Sequence, residues 1–310
     1  MTGTVLVLRA LGLGDLLVAV PALRGVRAAF PHARVTLAAP APLAPLAALT
    51  GAVDEVLPTT GLGDLRWTGL PPAVAVNLHG SGPESVADLL GTRAARVLTH
   101  RHRDFPGLDG PPWRDDVHEV RRWCDLLGHH GVPADPAALA LARPDEPSRA
   151  PGAVVVHPGA AHGSRRWPPD RFAEVAREFT ADGHRVVVTG SAGERDLAER
   201  VAAGAGLDAD AVLAGRTGLA ELAALVARAR LVISGDTGTG HLATAYGTPS
   251  VLLFGPIPPW RWGPPAGTEH RHAVLWAGHG GDPFASEPAP GLLRLTADEV
   301  VAAGRKVAGG

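Results

Sequence analysis

Apolar residues fall along the chain in short unbroken runs instead of alternating with polar ones. Val5–Leu8 is such a run, and Arg34–Ala39, Val53–Leu57, Ala73–Leu78 and Ala94–Leu98 are further short, mainly apolar stretches in the first half. Runs of this length without polar alternation predict strands covered on both faces, as in a parallel sheet. A Gly-containing turn, Leu11–Gly14, separates the first run from an amphipathic helix predicted over Asp15–Ala29. After an irregular stretch, Thr99–Arg114, a further helix is predicted over Asp115–Gly128. The segment Arg143–Pro151 carries three prolines among charged and small residues and reads as a linker. Beyond it, strands are predicted at Ala153–His157, Arg185–Thr189, Ala211–Leu213, Leu231–Ser234 and Ser250–Phe254. Helices fall between them at Pro169–Asp182, Glu194–Gly206, Gly218–Ala229 and Thr239–Tyr246. Thr296-Ala-Asp-Glu299 is a capping box that opens a last helix over 297–308.

This alternation predicts an α/β protein with two doubly wound sheets. The 310 residues exceed what one core usually supports. The expected domains are 1–146 and 152–310, with helix 297–308 returning to pack on the first. Ligands of such sheets bind outside the carboxyl ends of the strands, here in a cleft between the domains.

Composition narrows the partners. Apolar residues are 45% of the chain, enough for two cores, and the formal charge is −2. No clustered basic run is present, which disfavours nucleic acid, while local arginines can still bind a phosphate. Lys306 is the only lysine and Cys124 the only cysteine, so an internal disulfide and a multi-cysteine metal site are excluded. Met1–Arg9 reads as a strand entering the fold, without the features of a signal peptide. No run reaches the length of a membrane span. A cytoplasmic protein is expected, peripheral membrane contact and oligomeric state staying open.

Five loops carry candidate chemistry. Leu11-Gly-Leu-Gly-Asp-Leu-Leu17 lacks the third glycine of a dinucleotide fingerprint, and no acidic residue ends the second strand, so NAD is not expected. Asp15, after Gly14, reads either as a helix N-terminal carboxylate or as a general base held ionised by the helix dipole. His157-Pro-Gly-Ala-Ala-His-Gly-Ser-Arg-Arg-Trp-Pro168 sets Pro158, Gly159, Arg165 and Arg166 after a strand. Backbone N–H groups and guanidinium forks of this kind suit a diphosphate, or they form an ordinary solvated basic loop.

Ser234-Gly-Asp-Thr-Gly-Thr-Gly-His241 follows a buried strand and opens a helix. Its Asp236, Thr237, Gly238, Thr239, Gly240 and His241 exceed what a plain turn requires, which favours phosphate binding. Gly190-Ser-Ala-Gly-Glu194 offers Glu194 either to ribose hydroxyls or to its own helix N-terminus. The rigid loop Phe254–Pro264 presents Trp260 and Trp262 for stacking on sugar or base or for plain surface packing, and Trp260 and Arg261 are candidates on the acceptor side. Asp115, Asp116, His118 and Glu119 scatter around a helix and make no metal set, although His118 is a candidate on the acceptor side.

In order, these pieces resemble the heptosyltransferase-type glycosyltransferases of family nine, best known for adding heptose from ADP-heptose to lipopolysaccharide core. The likeness rests on Gly14-Asp15, His118-Glu-Val120, His157-Pro-Gly-Ala160 with Arg165-Arg-Trp-Pro168, and Gly190–Glu194. Gly235–His241 and Phe254-Gly-Pro256 with Arg261-Trp-Gly-Pro264 complete the set. The resemblance implies the GT-B architecture, two Rossmann-like domains facing a cleft that closes on the substrates. It implies an inverting, metal-independent transferase without cofactor, taking its sugar from a nucleotide diphosphate, most often ADP. The acceptor would be a glycan, glycolipid or small molecule. By the same resemblance Asp15 deprotonates the acceptor, Arg165 neutralises donor phosphate, the 236–241 stretch holds the diphosphate and Glu194 lies near the ribose. Arginine stands at the phosphate position where lipopolysaccharide enzymes commonly carry lysine. Two rivals use similar loops: a non-transferring enzyme of this architecture, such as a sugar-nucleotide epimerase, and a catalytically silent nucleotide-sugar-binding protein.

Overall fold

Most of the apolar stretches become parallel strands, the central ones buried, in the computed structural model, which describes residues 3–309. The chain divides into two compact units, Met1–Ala142 and Arg143–Gly310. In the first, the order is β1 (Thr4–Leu8), α1 (Leu13–Val18), α2 (Val20–Ala29), β2 (Arg34–Ala39), α3 (Ala44–Leu49) and β3 (Glu55–Pro58). Then come β4 (Val74–Asn77), α4 (Pro83–Gly91), β5 (Val97–Leu98) and α5 (Glu119–His129). The five strands lie parallel in the order β3-β2-β1-β4-β5. Winding reverses between β1 and β4, whose ends are in register at Leu8 and Asn77. The loops after these two strands therefore leave the sheet side by side, at the topological switch point.

The second unit runs β6 (Val154–His157), α6 (Pro169–Ala181), β7 (Val186–Val188), α7 (Arg195–Ala205), α8 (Leu219–Ala227), β8 (Leu231–Gly235) and α9 (Gly238–Tyr246). It ends with β9 (Ser250–Phe254), α10 (Pro259–Trp262), β10 (His272–Trp276), α11 (Pro290–Leu293) and α12 (Ala297–Ala308). Its parallel order is β10-β9-β8-β6-β7, with the switch between β6 and β8 and His157 opposite Ser234. Val154, Val156, Ile233, Val251 and Leu253 of the sheet are buried against Phe172, Phe179 and Val201 from the covering helices.

Several expected boundaries move, each for a local reason. The helix expected over Asp15–Ala29 divides at Ala19, because Pro21 lacks the N–H that would continue the ladder. The helix expected from Asp115 starts at Glu119, where the His118 side chain accepts from Val120 N at 3.2 Å and caps it. In place of a strand at Ala211–Leu213 there is a tight turn, Ala209–Ala211, followed by a single bridge to the sheet, Val188 to Val212. The segment 143–151 belongs to the second unit: Arg228 donates to the Pro144 and Glu146 carbonyls and Arg149 pairs with Glu221.

Helix α12, expected to reach back onto the first domain, buries Val300, Val301 and Val307 in the core of its own unit. Its Gly304 lies so close to α6 that an added Cβ would stand 2.7 Å from Phe179 Cζ. Of the stretch Met1–Arg9, Met1 and Thr2 lie outside the described residues, and β1 begins at Thr4.

Candidate functional site

In the second unit the loops after β6 and β8 meet at the switch point. The loop after β6 ends in a tight turn, Gly163–Arg165, held against the segment 283–286. Ser164 N donates to Ala285 O at 2.9 Å and Ser164 Oγ to Pro283 O at 2.8 Å. A Cβ at Gly163 would stand 1.5 Å from Ser286 O, so only glycine permits this approach. The turn delivers Arg165 to Asp236, with Nη1 3.9 Å from Asp236 Oδ2. Arg165 Nε is buried and has no hydrogen-bond partner within the protein. Arg166, by contrast, folds back and donates from Nε to Ala160 O at 2.9 Å.

Helix α9 opens directly after Asp236. Thr237 is its N-cap in extended conformation, but its hydroxyl lies 2.8 Å from Ser234 Oγ and makes no cap bond. The first intrahelical bond is His241 N to Thr237 O at 3.2 Å, so the amides of Gly238, Thr239 and Gly240 precede the ladder. Such amides and the helix dipole together favour an anion. The pocket here is lined by Gly235, Asp236, Thr237, Gly240, His241 and Thr244, closed by Leu252, Phe254, Trp262 and Pro264. His241 Nε2 is 3.9 Å from Asp236 Oδ1, and its ring centre is 6.0 Å from that of Trp262. Trp262 thus lines the pocket, whereas Trp260 is 54% exposed and does not. Arg261 lies between them, its Nε buried without a hydrogen-bond partner.

Glu194 is tied down by its own turn. Its Oε2 accepts from Ser191 N and Ser191 Oγ, each at 2.8 Å. The carboxylate lies against the backbone of Gly159, where an added Cβ would be 2.2 Å from Glu194 Oε1. Pro158 and Gly159 therefore carry the backbone past Glu194, and Gly190 packs against its Cβ. Burial pushes the Glu194 pKa up, but the Ser191 bonds, then His157 and Arg166, reverse this and hold it below the ordinary value. Burial pushes His157 down against the pull of Glu194, and its Nδ1 lies 3.0 Å from Thr189 Oγ1.

In the first unit, Gly12 caps α1, Gly14 lies within it, and Asp15 occupies its first turn. Sequence reasoning missed what lies beneath. Arg9, 1% exposed, donates from Nε to Asp15 O at 3.0 Å and from Nη2 to Asp15 Oδ1 at 3.3 Å. The same Nη2 is 3.5 Å from Glu119 Oε1, and Nη1 donates to Leu78 O. Glu119 also accepts from Trp123 Nε1 and Arg122 Nε, each at 3.0 Å. The available signal was a charged residue ending an otherwise apolar strand, which is costly to bury without a partner.

The acidic residues around His118 are spent locally. Asp115 accepts from Trp113 Nε1 at 2.9 Å, and Asp116 pairs with Arg114 at 2.8 Å. Elsewhere in that unit Asp109, His129 and His130 gather with one ligand atom each within 4.8 Å, a grouping absent from the sequence reading. His129 Nε2 and Asp109 Oδ2 are 3.2 Å apart, and His130 Nε2 lies 3.1 Å from Thr99 O.

Residues 114–281, more than half of the chain, match the family model for glycosyltransferase family 9 (heptosyltransferase). The chain is similar to lipopolysaccharide heptosyltransferase 1 of Pseudomonas aeruginosa, 39% identical over 136 residues, 44% of this chain and 36% of that protein. It is similar to lipopolysaccharide heptosyltransferase 2 of Escherichia coli K12, 34% identical over 106 residues, 33% of this chain and 30% of that protein. The matched stretch thus spans about a third of these curated relatives' length. Among solved structures, E. coli ADP-heptose lipopolysaccharide heptosyltransferase II superposes with a TM-score of 0.78 at 21% identity, covering 98% of each chain. That likeness shows the fold, the GT-B class with a parallel-sheet unit in each half, as expected from the sequence.

Proposed function

The chain belongs to glycosyltransferase family 9, and from that premise we propose that it moves a heptose or related sugar from an ADP-linked donor to an acceptor hydroxyl. The acceptor is a glycan, a glycolipid or a small molecule, with a lipopolysaccharide-type core first among them because the curated relatives bear that name. The reaction proceeds with inversion and without a bound metal or cofactor.

The observation that carries this reading is Arg165. A buried guanidinium nitrogen without a partner stands beside the anion-favouring N-terminus of α9. Leaving such a donor unmade is costly, and a diphosphate oxygen is the acceptor it suits. As the acceptor oxygen bonds to the anomeric carbon, its proton passes to the Asp15 carboxylate. The bond from that carbon to the diphosphate oxygen breaks on the opposite face, and the electron pair leaves with ADP. Arg165 and the Gly238, Thr239 and Gly240 amides stabilise the charge where it grows. Asp236 and His241 shape the pocket, and Glu194 offers Oε1 to a ribose hydroxyl.

The test is thermal stabilisation by ADP, GDP, UDP and ADP-heptose, with and without EDTA. A selective, EDTA-insensitive shift with the adenine pair supports the reading; no shift with any nucleotide defeats it. Asp15→Asn should cut transfer by about a hundredfold or more, the usual worth of a positioned base, while donor binding persists. An epimerase would instead convert ADP-heptose with no acceptor present.

A further inference from the structure

Arg9 is the most deeply buried charge in the first unit, at 1% exposure, and the proposed chemistry does not yet use it. Its fork joins three stretches: Asp15 in α1, Leu78 after β4 and Glu119 at the start of α5. Its plane also lies over Trp123, 4.8 Å from the ring centre. A guanidinium remains protonated, and burying it is expensive even when paired. A core residue of similar volume would brace the same elements at lower cost. What an apolar residue cannot do is hold Asp15 at two points, its backbone carbonyl and one carboxylate oxygen, while facing that carboxylate with a positive charge.

Resting on the reading of Asp15 as the base, we propose that Arg9 is its positioning residue and that Glu119 tempers Arg9. The bond from Nε to the Asp15 carbonyl sets the backbone of the first turn of α1, and Nη2 sets the carboxylate. Because Nη2 is divided between Asp15 and Glu119, Asp15 feels only part of the Arg9 charge. A base bound to an undivided cation would accept a proton poorly, and dividing Arg9 between two carboxylates avoids this. The other titratable or charged groups facing Arg9 are Arg122 from α5 and His79 from the loop after β4. Arg122 is itself paired with Glu119 at 3.0 Å, and burial with the Arg9 charge pushes His79 down to about 4, so it is neutral at pH 7. Burial pulls the Arg9 pKa down while Asp15 and Glu119 pull it back, the pattern of a cation kept in place by its carboxylates.

The experiment follows the Asp15 carboxyl carbon by NMR through a pH titration, its signal assigned by its loss in Asp15→Asn. Arg9→Met should raise the Asp15 midpoint by about one to three pH units. Glu119→Gln should lower it, and Arg9→Lys should leave it nearer the wild type. A purely structural role would not move one group in opposite directions. With ADP-heptose as donor, Arg9→Met should lower kcat by about a hundredfold, as for a reacting group moved by an ångström, with little change in donor KM. A midpoint unmoved in Arg9→Met and Glu119→Gln, or moved the same way by both, overturns the proposal. Should Arg9→Met fail to fold, Glu119→Gln decides it: a lowered midpoint supports the proposal, and one unmoved or raised overturns it. Full turnover in Asp15→Asn would instead defeat the base reading, whatever the titrations show.

Discussion

Two adjacent arginines in one loop have unlike surroundings, and that difference can be measured. Arg165 presents a partnerless buried nitrogen next to Asp236, while Arg166 is exposed and bonded to its own loop at Ala160. Arg165→Gln should weaken ADP binding by about ten- to a hundredfold, the worth of a charge-assisted hydrogen bond of about 1.5–3 kcal/mol. Arg166→Gln should cost much less, and calorimetric titration of both variants checks the order. Equal losses would mean that the loop binds phosphate through its summed charge. The sequence showed the pair but not the division of labour, because the direction of the Arg165 fork depends on Asp236, which is far along the chain.

At the scale of elements, two tight turns are packed into each other. Gly159 after β6 and the turn bearing Glu194 after β7 touch so closely that a side chain at 159 would displace the carboxylate. Gly159→Ala should therefore break the Ser191–Glu194 capping box and destabilise the second unit by about 1–3 kcal/mol. Denaturant titration gives the loss, and a variant of wild-type stability would refute this packing. The His157-Pro-Gly and Gly-Ser-Ala-Gly-Glu stretches were both legible as turns. Their mutual contact was not, since it follows from the β6–β7 pairing.

For the whole molecule, buried histidines couple stability to pH in both units. Burial first, then neighbouring charges, push His100 and His272 down to about 4 from 6.5. Both are at most 3% exposed. Between pH 6.5 and 4 the unfolded chain takes up a proton at each site and the folded chain does not. The unfolded state then binds more protons, so stability falls as pH falls through that window. The slope reaches about 1.4 kcal/mol per pH unit for each histidine. His272→Asn should flatten the loss in the transition of the second unit and leave that of the first unchanged. Thermal melts from pH 7 to 4.5 test this, and an unchanged slope would refute it. Among the described residues no helix is long and apolar enough to cross a membrane.

The sequence by itself determined the class of the fold, most of its elements and the loops that matter. Strand burial and helix periodicity are local patterns, and strands covered on both faces can be read from a run such as Val154–Val156 without knowing their partners. Gly-rich turns at strand ends likewise show where backbone N–H groups are free. Only the tertiary structure decided that Arg9 lies beneath Asp15 and is shared with Glu119, 110 residues away. It also decided that Trp262 and not Trp260 lines the pocket, and that α12 covers the second unit. The reason is the same in each case. A side chain's partners across the fold depend on strand order and register, which set long-range distances that no local pattern encodes.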